Sequence, residues 1–376
     1  MVRVLVASDK FKGSLTAAEI AAAVRAGLRR GRPDMVVDAI PVADGGDGTL
    51  AAAESAGFTL VPVTVTGPTG SPVRTAYARR DDTAVVELAD AAGLARLPRA
   101  PDPLGASSLG AGQAMAAAID AGCRWVVLGI GGSASTDGGA GLLRGLGAGL
   151  LTASGSPVPA GGVGLEQVAR LDLDDLRRRV DGVEITVACD VDNPLTGPRG
   201  AAEVYGPQKG ADPDQVRRLD AALAHWADVV AEATGADLRD HPGAGAAGGV
   251  GFAALALLDA ELRSGIDLVL ELVDFGAGLE GATLVVTGEG ALDEQTLHGK
   301  APAGVAAAAA RAGVPVVAVC GVNHLDHDRL RAAGIGAAYA LTDIEPDRER
   351  CLTDAAALLE QIAERIAADH LIEEDA

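Results

Sequence analysis

The feature that most constrains the fold is the recurrence of three kinds of segment, an apolar run, a glycine-rich loop and an alanine-rich stretch, along most of the 376 residues. The apolar runs predict strands at residues 2–7, 35–40, 83–88, 125–130, 184–189, 283–287 and 314–320. Helices are predicted at residues 107–121, 213–233 and 302–312, and a capping box of Thr16 and Glu19 begins another that ends near Gly31. Strand, loop and helix in this order predict an α/β protein with largely parallel sheets.

The length of the chain predicts more than one domain. A chain of 376 residues exceeds what one ordinary hydrophobic core organises, so two domains are expected. The segment 58–88 interrupts the alternation, because β-like runs follow one another around the turn TGPTGSP at residues 66–72. The chain is therefore expected to cross from one domain to the other in this region.

Charge and cysteine usage exclude several classes of protein. The formal net charge is −21, so a nucleic acid or an anionic membrane would be repelled. The longest uncharged stretch, residues 145–165, is broken by Gly, Ser and Pro, and no secretory segment precedes Asp9 and Lys10, so neither a membrane span nor a signal peptide is expected. The four cysteines form no CxxC pair, which argues against structural zinc or a disulfide framework and favours the cytoplasm.

Polar, glycine-rich loops follow most of the predicted strands. In parallel α/β folds ligands bind where strands end, because backbone N–H groups and helix N-termini point there. The candidate loops are SDKFKGS (8–14), PVADGGDGT (41–49), GIGGSASTDGGAG (129–141), CDVDNPLTG (189–197), YGPQKGA (205–211) and TGEGALDEQTLHGK (287–300). The only histidine among them, His298, is interpreted as a local hydrogen-bonding residue, and the end of the chain, HLIEEDA, as a solvated tail.

All the lysines of the chain fall inside these loops. They are Lys10, Lys12, Lys209 and Lys300, and the other basic residues are arginines. A flexible ammonium that meets phosphate oxygens as a point charge explains this distribution better than chance placement. The lysines therefore predict a site for anionic groups.

Carboxylates are concentrated in the same loops, namely Asp9, Asp44, Asp47, Asp137, Asp190, Asp192, Glu289 and Asp293. Several carboxylates beside lysines suit Mg²⁺, which one or two carboxylates hold together with substrate phosphates. Phosphoryl transfer needs a metal, cations, backbone N–H groups and a carboxylate that orients or deprotonates the attacking hydroxyl. For any single Asp, a turn or helix cap is the competing interpretation.

Familiar nucleotide motifs are mostly missing. The sequence has no GxxxxGK[ST] and no HRD loop, so it is neither a Walker-type ATPase nor a protein kinase. Gly129, Gly131 and Ala134 fit the dinucleotide fingerprint, but no acidic residue follows at the ribose-binding distance. The chemistry predicted by the loops therefore needs a different framework.

Long motifs in these loops resemble the bacterial glycerate kinase family of type 1. They are SDKFKGSLTA, PVADGGDGT, GIGGSASTDGGAG, CDVDNPLTGPRGAA with YGPQKGA, and TGEGALDEQTLHGKAPAGVA. The resemblance runs in order from about residue 1 to 370. One departure is Thr136, where an Asn often precedes the Asp, which puts a role of the Thr136 side chain in doubt.

The resemblance implies ATP- and Mg²⁺-dependent phosphorylation of D-glycerate, with 2-phosphoglycerate as the expected product and the C3 hydroxyl left open. It also implies two α/β domains with the active site in the cleft between them. One would be flavodoxin-like (Rossmann-like) and discontinuous, residues 1–75 plus 280–376, and the other inserted, residues 76–279. The partners would be ATP and glycerate, with no nucleic acid or membrane, and a homodimer is left open.

Roles for single residues are our inference from chemistry. The expected catalytic residues are Lys10, Asp190 and Lys300, with Asp192 and Asp44 as rivals of Asp190 for the general base. Nucleotide binding is expected from Lys12, Ser14, Gly131, Gly132, Ser133, Asp137, Gly138, Glu289 and Asp293. Substrate binding is expected from Asp9, Asp44, Asp47, Asn193, Lys209 and Thr296, and metal binding from Asp190 and Asp192.

Two other classes stay open at this point. A nicotinamide-linked oxidoreductase acting on a small hydroxy acid would use GIGGSA for the pyrophosphate, although the missing ribose acid counts against it. A non-catalytic sensor of glycerate or nucleotide could bind the same ligands without turnover, although the many loop carboxylates count against it. NADH binding favours the first class, and tight binding without product favours the second.

Overall fold

The computed structural model describes residues 2–98, 100–297 and 299–371. The predictions for His298 and for the part of the tail after residue 371 lie outside these ranges. None of the helices in the described ranges is long and apolar enough to cross a lipid bilayer.

Strands and helices alternate along most of the chain. The strands are β1 (Arg3–Ser8), β2 (Val36–Ala39), β3 (Thr59–Thr66), β4 (Pro72–Arg80), β5 (Thr83–Glu87), β6 (Trp125–Gly129), β7 (Gly149–Leu151), β8 (Arg170–Asp172), β9 (Glu184–Ala188), β10 (Glu261–Arg263), β11 (Leu284–Leu292), β12 (Val316–Asn323) and β13 (Ala337–Ala340). The helices are α1 (Ala17–Gly31), α2 (Thr49–Ser55), α3 (Leu88–Ala92), α4 (Leu109–Asp120), α5 (Ala140–Leu146), α6 (Asp174–Val180), α7 (Ala201–Tyr205), α8 (Pro213–Thr234), α9 (Ala246–Leu258), α10 (Gly265–Leu272), α11 (Phe275–Leu279), α12 (Ala301–Arg311), α13 (His327–Ala332), α14 (Arg348–Thr353) and α15 (Ala355–His370). The predicted α/β class with mostly parallel sheets is confirmed.

The chain divides into two compact units. Unit 1 is built from the described parts of Met1–Asp44, Ala51–Ala56 and Ile266–Ala376, and unit 2 from Gly45–Leu50 and Gly57–Gly265. These limits differ from the expected boundaries near residues 75 and 280. Residue 75 lies within β4, and the antiparallel pairing of β4 with β3 keeps the whole hairpin in unit 2.

Unit 1 is a doubly wound parallel sheet. Its strand order is β13-β12-β11-β1-β2, which, counted within the unit, is the flavodoxin-like order 2-1-3-4-5. Alternate residues of β1 face opposite sides of the sheet. Leu5 and Ala7 belong to the core cluster that includes α12, whereas Val4 and Val6 belong to the cluster that includes α1 and α15. Because both faces are covered, the strands read as continuous apolar runs.

The first helix begins as its sequence predicts. The hydroxyl of Thr16 accepts the backbone N–H of Glu19 at 3.2 Å, and the carboxylate of Glu19 accepts the backbone N–H of Thr16 at 2.8 Å. This capping box satisfies two N–H groups that the first turn of a helix leaves without partners. The predicted start of α1 is therefore confirmed.

Strand β11 is longer than the sequence analysis predicts. The prediction ends the strand at residue 287 and begins a loop, whereas β11 continues to Leu292 and pairs with both β1 and β12. At Gly288 a side chain would not fit, because its Cβ would lie 2.3 Å from the carbonyl oxygen of Val319. The glycines here permit close strand packing and do not mark the end of the strand.

Unit 2 contains a mixed sheet in the order β10-β9-β6-β5-β4-β3. Strands β5, β6, β9 and β10 are parallel, and β3, β4 and β5 form an antiparallel meander. The meander is the succession of β-like runs that the sequence shows at residues 58–88. The hydrophobic core of unit 2 includes the fully buried side chains of Trp226 and Phe252.

Candidate functional site

The carboxyl ends of β1, β2 and β11 bring three acidic residues together in unit 1. The strands are adjacent and parallel, so their carboxyl ends lie at one edge of the sheet. Asp9 directly follows β1, Asp44 follows β2, and Glu289 lies in β11. The backbone N–H of Asp9 donates to the carbonyl of Gly288 at 3.0 Å, which fixes Asp9 against β11.

The surroundings of Asp9 disfavour its charged form. Burial raises the pKa of Asp9 to about 7, and the carboxylates of Asp44 and Glu289 act in the same direction. The backbone N–H of Lys10, 2.7 Å from Oδ1 of Asp9, and the Lys10 ammonium oppose this shift. A carboxyl group that titrates near neutrality can exchange a proton at working pH, as a general acid or base must.

Glu289 is buried, and its two oxygens have different partners. Oε1 accepts a hydrogen bond from the hydroxyl of Thr296, and Oε2 lies 3.6 Å from Nζ of Lys300. Burial is the main cause that raises the pKa of Glu289, while the Thr296 hydroxyl and Lys300 oppose it. The sequence analysis assigns these three residues to separate ligands, and the structure joins them in one cluster.

Asp293 and Thr296 form a hydrogen-bonded turn between β11 and α12. Oδ1 of Asp293 accepts the backbone N–H groups of Gln295 and Thr296, and the Thr296 hydroxyl accepts the backbone N–H of Asp293. Lys300 then stands at the N-cap of α12. The positive end of the helix dipole and the Lys300 ammonium therefore lie at the same place, which suits an anionic group.

The lysines of SDKFKGS lie on a tight turn after β1. Lys10 is half-buried and Lys12 is exposed, so Lys12 is accessible to a ligand. The hydroxyl of Ser14, expected to bind nucleotide, donates to the carbonyl of Leu352 at 2.8 Å. Ser14 thus holds the turn to α14 in this structure.

Within unit 2, Gly45 and Gly46 of PVADGGDGT pack backbone against backbone with the loop after β6. The N–H of Gly131 donates to the carbonyl of Gly45 at 3.4 Å. A Cβ at Gly129 would lie 2.5 Å from that carbonyl oxygen, and one at Gly131 would lie 2.7 Å from Cα of Gly46. Gly129 and Gly131 are therefore required by the approach of their loop to Gly45 and Gly46.

Glu87 holds the first of these loops, and the sequence analysis missed it. It is buried at the end of β5, and Oε2 accepts the backbone N–H groups of Leu50 at 3.0 Å and Gly48 at 3.2 Å. Burial raises the pKa of Glu87 to about 7, with Asp47 and Asp90 adding to the shift. The available signal was an acidic residue ending the apolar run TAVV.

The second loop is held by the buried Lys209. Its Nζ donates to the hydroxyl of Ser133 at 2.8 Å and to the carbonyl of Ser135 at 2.5 Å. Burial lowers the pKa of Lys209 to about 7, and Asp137 opposes the shift. Lys209, expected to contact substrate, contacts protein groups here.

Asp137 is buried and accepts hydrogen bonds from several groups. These donors are the Ser107 hydroxyl, the backbone and hydroxyl of Ser108, and the backbone N–H groups of Gly139 and Gly141. The carbonyl of Gly138 accepts the indole N–H of Trp226 at 3.0 Å, and its N–H donates to Gly248. Asp137 and Gly138 thus make interior contacts, whereas Gly132 is exposed.

The loop after β9 carries the expected metal ligands. Oδ1 of Asp190 accepts the backbone N–H of Gly265 at 2.8 Å. Asp192 is ion-paired with Arg199 at 3.0 Å. The amide of Asn193 donates to the carbonyl of Arg199 and accepts from the hydroxyl of Tyr205. Asp190 is thus held by Gly265, whereas Asp192 and Asn193 both contact Arg199.

Whether the site could hold Mg²⁺ depends on which carboxylates are available as ligands. Over the described ranges, no group of three or more His, Cys, Asp or Glu side chains is arranged to hold a metal ion. Mg²⁺ in kinases commonly takes one or two carboxylates and completes its shell with phosphate oxygens and water. Asp190 and Asp192, both exposed beyond the end of β9, supply two such carboxylates.

Comparison with known proteins identifies the family. The family model described as "Glycerate kinase family" matches residues 4–371. The chain belongs to the glycerate kinase family. A glycerate kinase of Bacillus subtilis (strain 168) is 43% identical over 371 residues, covering 98% of this chain and 97% of that protein. The predicted resemblance is confirmed.

Two further relatives bear on the type of glycerate kinase. The protein named glycerate 2-kinase of Escherichia coli (strain K12) is 40% identical over 351 residues, covering 90% of each chain. A crystal structure of "putative glycerate kinase 2" from Salmonella typhimurium LT2 matches with a TM-score of 0.84 and 41% identity, covering 98% of this chain and 97% of that one. This member of the glycerate kinase family is thus similar in sequence to the Escherichia coli protein over most of its length, and similar in both sequence and fold to the Salmonella protein over nearly all of it.

Proposed function

We propose that this protein is a glycerate 2-kinase that transfers the γ-phosphoryl group of ATP to the C2 hydroxyl of D-glycerate and releases ADP. The observation that carries the proposal is the match to glycerate kinases over nearly the whole chain, including the glycerate 2-kinase of Escherichia coli. The cluster of lysines and carboxylates at the strand ends of unit 1 supports it, because phosphoryl transfer needs both.

Lys300, Lys10 and Lys12 are the proposed contacts to phosphate or to the glycerate carboxylate. Lys300 stands at the N-cap of α12, where the helix dipole adds to its charge. Its partner Glu289 holds the ammonium in place, and Thr296 orients Glu289. A preorganised cation stabilises the charge that develops on the transferred group without waiting for solvent to reorganise.

The proton of the attacking hydroxyl must pass to a base as the new P–O bond forms. Asp190 is the proposed base or metal-linked positioning residue, and Asp44 is its rival. Asp192, which is ion-paired with Arg199, is the second rival. When bound, Mg²⁺ would neutralise charge on the phosphates, and Asp190 is the residue that would hold it.

The loops of unit 2 are the proposed contribution to nucleotide binding. Gly131 and Gly132 lie just beyond β6 on a chain path that Gly45 and Glu87 support. The exposed backbone of Gly132 after a parallel strand suits phosphate oxygens, and the bond from the N–H of Gly131 to Gly45 fixes the path that leads to it. Asp47, exposed in the neighbouring loop, stays a candidate for substrate binding.

The test is ADP release with ATP, Mg²⁺ and D-glycerate, with L-glycerate and no acceptor as controls. Phosphorus NMR of the product separates 2-phosphoglycerate from 3-phosphoglycerate. D-glycerate-dependent ADP release with the phosphate on C2 is expected. Folded protein that binds NADH without turnover would instead favour the oxidoreductase, and glycerate binding without product would favour the sensor.

The cellular location and the oligomeric state are part of the same proposal. The four cysteines are free thiols, which suits the reducing cytoplasm. Light scattering of the purified protein tests the homodimer, since twice the chain mass of 37.5 kDa is expected if it forms.

A further inference from the structure

Lys209 is a buried lysine whose contacts lie within unit 2. It ends a short 3₁₀ segment, Pro207–Lys209, and its exposed fraction is 3%. Burying an ammonium is costly unless its N–H groups find partners, and lysines are among the residues least often fully buried. A lysine kept in this environment therefore indicates a specific interaction.

The partners of Lys209 are uncharged groups of one loop. Nζ donates to the Ser133 hydroxyl and to the Ser135 carbonyl, which lie two residues apart after β6. Within the described part of the chain, no carboxylate lies within ion-pairing distance of this Nζ. Asp137, the acidic residue that acts on Lys209 electrostatically, accepts its hydrogen bonds from Ser108 and neighbouring groups. Lys209 thus fixes the backbone conformation of residues 133–135.

The segment held by Lys209 has few other side-chain bonds. The hydroxyls of Ser135 and Thr136 are buried and make no hydrogen bond to the described residues. The other anchors are backbone bonds, from Ala134 N–H to the carbonyl of Ala92 and from Leu94 N–H to the carbonyl of Gly132. Without Lys209, the Ser133 hydroxyl and the Ser135 carbonyl would both lose a donor in a buried place.

We propose that Lys209 is a positioning residue, which holds residues 133–135 so that the backbone of Gly131 and Gly132 keeps the conformation that binds the nucleotide phosphates. Lys209 then acts through the loop and does not touch substrate. The nucleotide part of this inference rests on the proposed kinase function, whereas the loop-holding part stands on the hydrogen bonds alone.

The first experiment compares wild type, Lys209→Met and Ser133→Ala in steady-state kinetics. Lys209→Met keeps much of the side-chain volume and removes both hydrogen bonds. The expected result is a rise of about 10-fold or more in KM for ATP with a smaller change in kcat. Ser133→Ala removes one of the bonds and should raise the same KM about threefold. Because both changes remove that bond, the double variant Lys209→Met/Ser133→Ala should have a KM for ATP close to that of Lys209→Met alone. Arg178→Met, at an exposed arginine of unit 2, is the control and should match wild type.

Hydrogen exchange gives a readout that does not depend on activity. In Lys209→Met the amides of residues 131–137 should exchange about 10-fold faster or more, while those of β9 keep their wild-type rates. Unchanged exchange in this loop with an unchanged KM for ATP would overturn the proposal. So would a turnover number that falls by about 100-fold or more at constant KM, since that result would indicate a direct role in the chemistry.

The two proposals fail in different ways. If wild-type protein releases no ADP with D-glycerate, the kinase function fails, and the exchange measurement still tests whether Lys209 holds the loop. If Lys209→Met does not fold, Ser133→Ala decides: an unchanged KM for ATP together with unchanged exchange at residues 131–137 overturns the proposal.

Discussion

Nζ of Lys300, the N-cap residue of α12, lies 3.6 Å from Oε2 of Glu289. The carboxylate is buried and the ammonium is partly exposed, so the pair presents its positive side outward. A buried carboxylate beside a lysine at a helix N-terminus suits the proposed binding of an anion by Lys300.

Lys300→Met is expected to lower kcat/KM for phosphoryl transfer by about 100-fold, because a preorganised cation stabilises the transferred group. Steady-state kinetics with ATP and D-glycerate measure the change. Arg311→Met, an exposed position in the last turn of the same helix, is the control. A kcat/KM within about threefold of wild type would remove Lys300 from the mechanism.

Asp9→Asn is expected to stabilise the protein above neutral pH. In the folded state the pKa of Asp9 is about 7, against 3.8 for the ordinary carboxyl, so between these values the folded state binds more protons than the unfolded state. The contribution of Asp9 to the free energy of unfolding therefore falls as pH rises through this window. Asn carries no charge and should avoid this loss.

Denaturation by urea at pH 5 and pH 8 checks the pH dependence. The gain of Asp9→Asn over wild type should increase by on the order of 2 kcal/mol between these two values, a figure reduced because the carboxyl is partly exposed. Glu364→Gln, exposed on α15, should show no such trend. Equal gains at both pH values would contradict the raised pKa.

Glu87→Ala is expected to lower the free energy of unfolding by about 1–3 kcal/mol, because the N–H groups of Gly48 and Leu50 lose their buried acceptor. Glu87→Gln keeps an acceptor oxygen and should cost less. Guanidinium denaturation measures both. Glu54→Ala, at an exposed position of α2, serves as the matched control, and an Ala variant at Glu87 as stable as that control would refute the holding role.

Gly131→Ala is expected to reduce kcat/KM for ATP by at least about 10-fold, because a Cβ there would lie 2.7 Å from Cα of Gly46 and would push the two loops apart. Gly276→Ala, where no atom lies within 4 Å of the new Cβ, is the control and should behave as wild type. Normal ATP kinetics in Gly131→Ala would show that the loops tolerate separation.

Local patterns predicted much of the fold. The capping box at Thr16 and Glu19 depends on residues three apart, and the apolar runs that became β1, β5, β6 and β9 needed only their own composition. The prediction ended β11 too early, because glycine usually ends a strand. The glycine at position 288 is explained only by the neighbouring strand β12, which leaves no room for a side chain there. Predictions therefore failed where a distant segment decided the conformation.

The site was predicted unevenly for the same reason. Asp9 and Asp44 lie after strand ends, where the sequence analysis expects ligand-binding loops, whereas Glu289 lies within β11 and joins them because β11 pairs with β1. Glu87 and Lys209 were not foreseeable in their observed contacts, because their partners lie 37 and 76 residues away along the chain. The role of a buried ionisable group depends on those partners.

The position of β1 inside the sheet of unit 1 sets an order for synthesis on the ribosome. β1 lies between β2 and β11, and β11 begins only at residue 284. The first strands of the nascent chain must therefore wait, with an open edge, while all of unit 2 is translated. Unit 2 can complete its own sheet in that interval, so a chain released before residue 284 would retain that sheet and expose the edge of β1 to aggregation.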